Sequence, residues 1–122
     1  MAEHNDLGAW GEQTACDHLT TKGYAIVARN VRVANHEIDV IATKGPRIAF
    51  VEVKTRRTSI VDPLLAINRQ RMNRMTAAAN AYIKSYGIPM EPQFDVITIV
   101  GTPDNFELQH YPDAFRPPLR TR

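Results

Sequence analysis

The spacing of apolar positions divides the chain into two helical stretches and a set of extended ones. Leu7, Trp10, Ala15, Cys16 and Leu19 recur near the helical repeat and predict a first helix over Leu7 to Lys22, capped by Asn5 or Asp6 and ended by Gly23. Glycines at 8 and 11 weaken its first turns, by about 1 kcal/mol each relative to alanine, and are read as letting another backbone come close. Tyr24 to Val33 is β-branched and aromatic enough for a strand, with Asn30 at a turn or bulge bonding local backbone. Two strands follow, about Glu37 to Ala42 and Ile48 to Arg56, around the turn signal Gly45-Pro46. Asp62-Pro63 opens a second helix to about Tyr86, ended by Gly87 with Pro89 behind it; Leu65, Met72, Met75, Ala79, Tyr82, Ile83 and Tyr86 form its apolar stripe. Gln93 to Val100 is a fourth strand and Phe106 to Tyr111 a short last one. The elements predict a single α/β domain over residues 1–122, in the order α-β-β-β-α-β plus a short final strand.

Four charges interrupt the apolar pattern of the two central strands: Glu37, Asp39, Glu52 and Lys54. Ionised groups on buried strands are costly unless something pairs with them. If the turn is centred between Gly45 and Pro46, Asp39 faces Glu52 and Glu37 faces Lys54 across an antiparallel pair, and alternation puts all four on one face with Ile41 and Phe50. Ile38, Val40, Val51 and Val53 then form the opposite, core-facing side. Proline in the turn makes the register the weak point, since a slip of one residue would take this polar square apart.

Charge distribution sharpens the picture more than the net charge of +2 does. Residues 1–20 hold four acids and no Lys or Arg, whereas residues 21–74 hold eleven bases against four acids. A basic stretch of that kind can follow a phosphate backbone by releasing its counterions. Arg56 and Arg57 at the end of the third strand, and Arg69 and Arg71 on the second helix, are candidate nucleic-acid contacts. The tail Phe-Arg-Pro-Pro-Leu-Arg-Thr-Arg is basic as well and is read as frayed. One cysteine, no leader-like start and no apolar run of membrane-spanning length point to a soluble, cytoplasmic protein with no membrane partner.

Two opposed carboxylates raise each other's pKa, and a hard divalent cation, Mg²⁺ or Mn²⁺, removes that conflict through oxygen ligands while keeping several waters. Such an ion lowers the pKa of a bound water and neutralises charge on a phosphodiester, beside which Lys54 could orient the attacking water or stabilise developing negative charge. Asp95, near the start of the fourth strand, is read as a structural hydrogen-bond or ion-pair partner. The four histidines and Cys16 have no zinc-ligand spacing, and no phosphate-cradling glycine loop or nucleophile elbow is present.

Asp39 followed by Glu52-Val53-Lys54 on the next strand resembles the signature of the PD-(D/E)xK nuclease superfamily. More closely, Gly11-Glu12, Gly23-Tyr24, Arg29-Asn30, Glu37-Ile38-Asp39, Phe50-Val51-Glu52-Val53-Lys54-Thr55-Arg56, Phe94-Asp95-Val96 and Ala114-Phe115 resemble the YraN family of endonuclease-like proteins, nearly end to end. The resemblance implies a restriction-endonuclease-like core with a central mixed sheet. It implies Asp39 and Glu52 as metal ligands, the Val53 carbonyl as a third, Glu12 completing the site, and Lys54 as catalytic cation. His36 stands where the family usually has glycine and is read as a phosphate contact or, the favoured reading, as exposed; Ile38 stands where the superfamily has proline; and Arg69, where the resemblance has lysine, is the first choice on the helix. A homodimer is implied by related resolving nucleases, since so small a site holds one strand. The expectation is a Mg²⁺-dependent endonuclease acting on DNA, with branched or processed DNA as the candidate substrate class. The alternative is a non-catalytic nucleic-acid-binding or protein-interaction module that keeps the fold.

Overall fold

The fold is taken from a computed structural model that describes residues 2–58 and 68–116. The expected start of the second helix at Asp62-Pro63, its Leu65, and the tail beyond Arg116 lie outside these residues. Helix α1 (Ala2–Thr21) precedes strands β1 (Ala25–Val33), β2 (His36–Lys44) and β3 (Arg47–Arg56); helix α2 (Arg69–Tyr86) then leads to β4 (Glu91–Thr102) and β5 (Asn105–Phe115). The strands form one five-stranded sheet in sequence order, antiparallel except for the β3–β4 pair. Only that pair is joined by a helix, as a parallel connection requires. Order and sheet are those expected of a restriction-endonuclease-like core.

The two helices cover opposite faces. Ala15, Cys16 and Leu19 of α1 pack on Val40, Ala42, Ala49, Val51, Ile97 and Ile99. Met75, Ala78, Ala79 and Tyr82 of α2 pack on Ile38, Ile41, Ile48, Phe50 and Phe94. Both helices stop as glycine dictates, with Gly23 at φ 93 and Gly87 at φ 57. The next residues, Tyr24 and Ile88, donate back to Leu19 O at 3.0 Å and Ile83 O at 3.0 Å, the bonds that satisfy orphan carbonyls at a left-handed cap.

Several element limits differ from expectation. Helix α1 runs back to Ala2, because nothing before Leu7 is a glycine or proline that would stop it, and Asn5 and Asp6 lie inside it rather than capping it. Helix α2 is capped by Asn68, whose side chain accepts the Arg71 N–H at 2.8 Å. Tyr86, placed in the apolar stripe, is 69% exposed beyond the sheet and packs its ring on Tyr82. Strand β5 is long rather than short, being held to β4 through a two-residue loop, Pro103-Asp104, and paired down to Phe94↔Phe115.

The β2–β3 register is the expected one, with Lys44↔Arg47, Ile41↔Phe50 and Val40↔Val51, and Gly45 at φ 59 supplies the left-handed residue that lets a two-residue Gly-Pro loop close. The ladder ends at Val40↔Val51, so the polar square does not form as drawn. Ile38 packs on the α2 side together with Ile41, although three residues apart they should face opposite ways. Ala28 and Val31 of β1 show the same slip. Both slips span the place where Asn30, at φ 54, lies across from Asp39, between the pairs Arg29↔Val40 and Val31↔Ile38. Glu37 is consequently exposed and set opposite Arg32, away from Lys54.

Candidate metal and phosphate site

Beyond the last β2–β3 pair the two strands frame a cleft of about 290 Å³, lined by Glu12, Asp39, Glu52, Val53, Lys54, Thr55, Arg56 and Arg71 together with Leu7 and Gly8. Helix α1 reaches it because Gly11 has no side chain: a Cβ there would collide with the Thr55 hydroxyl. The close approach expected of the glycines is therefore real at Gly11, against a side chain, whereas Gly8 has open space around it. The seat on Thr55 places Glu12 over the end of β3. Helix α2 contributes from its first turn, where the Asn68 cap aims Arg71 back at the sheet.

Asp39 extends across the gap left by the ended ladder, and its Oδ2 accepts the Val53 N–H at 2.8 Å. Burial, the Glu52 carboxylate and, more weakly, Glu12 and Glu37 push the Asp39 pKa up to about 7, against the lowering effect of the Val53 N–H. Lys54 feels both carboxylates but does not offset this; burial first, then Arg56 and Arg71, lower its own pKa. Glu52, 4% exposed, is paired with the Arg71 guanidinium. Glu12 accepts from Asn30 Nδ2 at 2.9 Å and lies 3.9 Å from Arg29 Nη2.

The structure thus brings together Asp39, Glu52, Val53, Lys54, Glu12, Arg56 and Arg71. Arg57 is exposed just past β3, and Arg69 is exposed at the start of α2 without lining the cleft; Arg71, two residues on, is the helix arginine that enters it. Among the described residues no group of three or more His, Cys, Asp or Glu side chains is gathered as a metal cage. Each acid has another partner: Arg71 holds Glu52, Asn30 holds Glu12 and the Val53 amide holds Asp39.

Asn30 and His36, which do not line the cleft, differ from the sequence reading. Asn30 bonds Glu12 rather than local backbone. His36, expected to be exposed, is 8% exposed, and its Nε2 has no hydrogen-bond partner among the described residues. It starts β2 two residues before Ile38, which turns to the α2 side. Burial lowers its pKa, with Glu52, Arg71, Arg74 and Glu37 acting on it in that order.

A second acid is buried elsewhere. Asp95, 0% exposed on β4, accepts from Tyr24 Oη at 2.9 Å, Gln93 Nε2 at 2.9 Å and the Asp113 N–H at 3.0 Å. His110 Nε2 lies 2.9 Å from it, and His110 Nδ1 is 3.1 Å from His18 Nε2 of α1. Asp95 is the structural partner expected of it.

With this geometry in place, comparison with known proteins gives a family. The family model described as "Uncharacterised protein family UPF0102" matches residues 11–99. A UPF0102 protein of Bacteroides thetaiotaomicron is 42% identical over 120 residues, covering 98% of this chain and 99% of the relative. One from Bacteroides fragilis has the same identity and coverage, and one from Flavobacterium psychrophilum is 36% identical over 116 residues, covering 94% and 98%. The chain belongs to the UPF0102 family.

Proposed function

We propose that this UPF0102 protein is a metal-dependent nuclease of the PD-(D/E)xK superfamily that hydrolyses phosphodiester bonds in DNA, with branched or processed DNA as the preferred class. The observation that carries the reading is the Asp39–Glu52 pair beside Lys54 in one cleft, with Asp39 raised to about 7. Asp39, held by one amide and raised by its burial and by the neighbouring acids, leaves room for a hard cation beside Glu52, and every candidate donor is an oxygen. Asp39 and Glu52 would hold Mg²⁺ or Mn²⁺, with the Val53 carbonyl and Glu12 as further donors. A cation of this kind needs only one or two carboxylates and fills the remaining positions with water. When bound, it supplies a water of lowered pKa and neutralises charge on the phosphoryl oxygens.

The protein's own groups do the rest. The Val53 amide fixes Asp39 Oδ2, so the carboxylate is set in place before any ligand arrives. Lys54, its pKa lowered, faces charge developing on the phosphate and can orient the attacking water. Arg71 and Arg56 line the cleft and are placed to clamp phosphate, with Arg57 and Arg69 extending the basic surface outward. No helix among the described residues is long and apolar enough to cross a membrane; the reading itself puts the nuclease on DNA in the cytoplasm. The homodimer that the resemblance to resolving nucleases implies would bring one cleft to each strand of a junction and is readable by sedimentation.

A second reading draws on the Arg71–Glu52 pair, which already neutralises Glu52 and suits a module that binds nucleic acid without cutting it. Cleavage of a panel of linear, flapped and four-way DNA substrates in Mg²⁺, by wild type and Glu52→Ala, separates the two. The nuclease reading expects structure-dependent cutting that Glu52→Ala abolishes; cutting that survives the substitution, or binding without cutting by wild type, refutes it.

A further inference from the structure

We propose that Asn30 is a positioning residue that sets both outlying acids of the cleft, Glu12 by its side chain and Asp39 by its backbone. The inference rests on the metal reading of the cleft, which it deepens. Its backbone sits at φ 54 in the middle of a strand, a left-handed conformation in which asparagine is enriched among side-chain-bearing residues. Asp39 lies opposite. The alternation of faces slips across this pair in both strands, so that Ile38 turns toward α2 while Val40 stays toward α1. Asp39, at the slip, is left to run along the sheet to the Val53 amide instead of joining either core. A regular β1 would restore the alternation that Ile38 and Val40 share and take Asp39 out of the gap.

The side chain acts on the other acid. Asn30 Nδ2 donates to Glu12 Oε1 at 2.9 Å, and Arg29 Nη2 lies 3.9 Å from the same oxygen. Arg29 is itself held by Gln13 Oε1 at 2.9 Å. The single Asn30 hydrogen bond, with the Arg29 charge nearby, holds the Glu12 carboxylate at the cleft that it lines. Groups that orient a metal ligand in this way contribute substantially to affinity without touching the ion.

Mn²⁺ titration by calorimetry of wild type, Asn30→Gly, Asn30→Asp and Glu12→Ala tests this. Glycine keeps the left-handed backbone and removes only the amide. The expected result is a folded Asn30→Gly protein whose Mn²⁺ affinity falls about tenfold, within the usual range for losing a ligand-orienting hydrogen bond. Asn30→Asp, which opposes a carboxylate to Glu12, should fall further, and Asn30→Gly should have no added effect in the Glu12→Ala background. Wild-type affinity in Asn30→Gly, or additive losses in the double variant, overturns the role. A metal-independent measurement runs beside it: the side-chain amide NMR signals of Asn30 should shift in metal-free Glu12→Ala, and unmoved signals overturn the proposal. Failure of wild type to bind Mn²⁺ would instead sink the metal reading and leave the amide signals to decide the role of Asn30.

Discussion

Asp39 and Asp95 lie on neighbouring parts of one sheet and are both largely removed from water, yet they are opposite kinds of acid. Burial would raise Asp95, but His110, the Asp113 amide, Gln93 and Tyr24 outweigh it and hold its pKa below the ordinary carboxylate value. The cost is passed on to Tyr24, whose hydroxyl is pushed up to about 12 by burial and by Asp95. Asp39 has one amide against burial and three other acids, and sits at about 7. A buried charge whose bonding is completed from within is part of the scaffold. One held by a single amide in an open cleft is poised for something from outside.

The largest expected effect is on the completed side. Asp95→Ala strands four donors in the core and should destabilise the protein by roughly 3–5 kcal/mol, read by urea denaturation. Lys54→Met should leave the fold intact and slow DNA cleavage by about 10²–10³-fold, the scale for losing one group that faces developing charge. Asp39→Asn should do the reverse of Asp95→Ala and stabilise the metal-free protein, by roughly 2–4 kcal/mol at pH 8, while abolishing cleavage.

The pH dependence has opposite signs at the two acids. The raised pKa of Asp39 means the folded state holds a proton that the unfolded state has lost, so metal-free stability falls as pH rises from about 4 to about 7 and is level above. Asp95, held low, contributes stability above its ordinary pKa that is lost only as pH falls below about 4 through its folded value. Denaturation curves across pH 3–9 should show the fall above pH 4 in wild type and not in Asp39→Asn. The smallest effect is Gly11→Ala, which forces α1 off Thr55 and should cost roughly 1–3 kcal/mol. It should also draw Glu12 from the cleft and weaken Mn²⁺ binding.

Both helices, all five strands and the β2–β3 register were legible because each rests on local chemistry: apolar periodicity, glycine caps and the Gly45-Pro46 turn. Asp39, Glu52 and Lys54 were legible because charge on apolar strands is conspicuous. What the sequence hid is non-local. Strict alternation placed Ile38 with Val40 and Glu37 with Lys54, and the left-handed turn of Asn30 on the neighbouring strand undoes both. Arg69 and Arg71 differ in role because the Asn68 cap fixes which of them reaches the cleft, and the sequence pattern does not mark Asn68 as that cap. His36 was read as exposed because nothing in its neighbours announces that β2 has turned that end toward α2.

The most direct test is a carbon-13 carboxyl NMR titration that follows Asp39 and Asp95 in the same sample, without metal and with Mg²⁺. The account predicts that Asp39 titrates near 7 in the metal-free protein and moves well down when Mg²⁺ is added, while Asp95 stays below the ordinary carboxylate range in both. An Asp39 that titrates at about 4, or one near 7 that Mg²⁺ does not move, would contradict it.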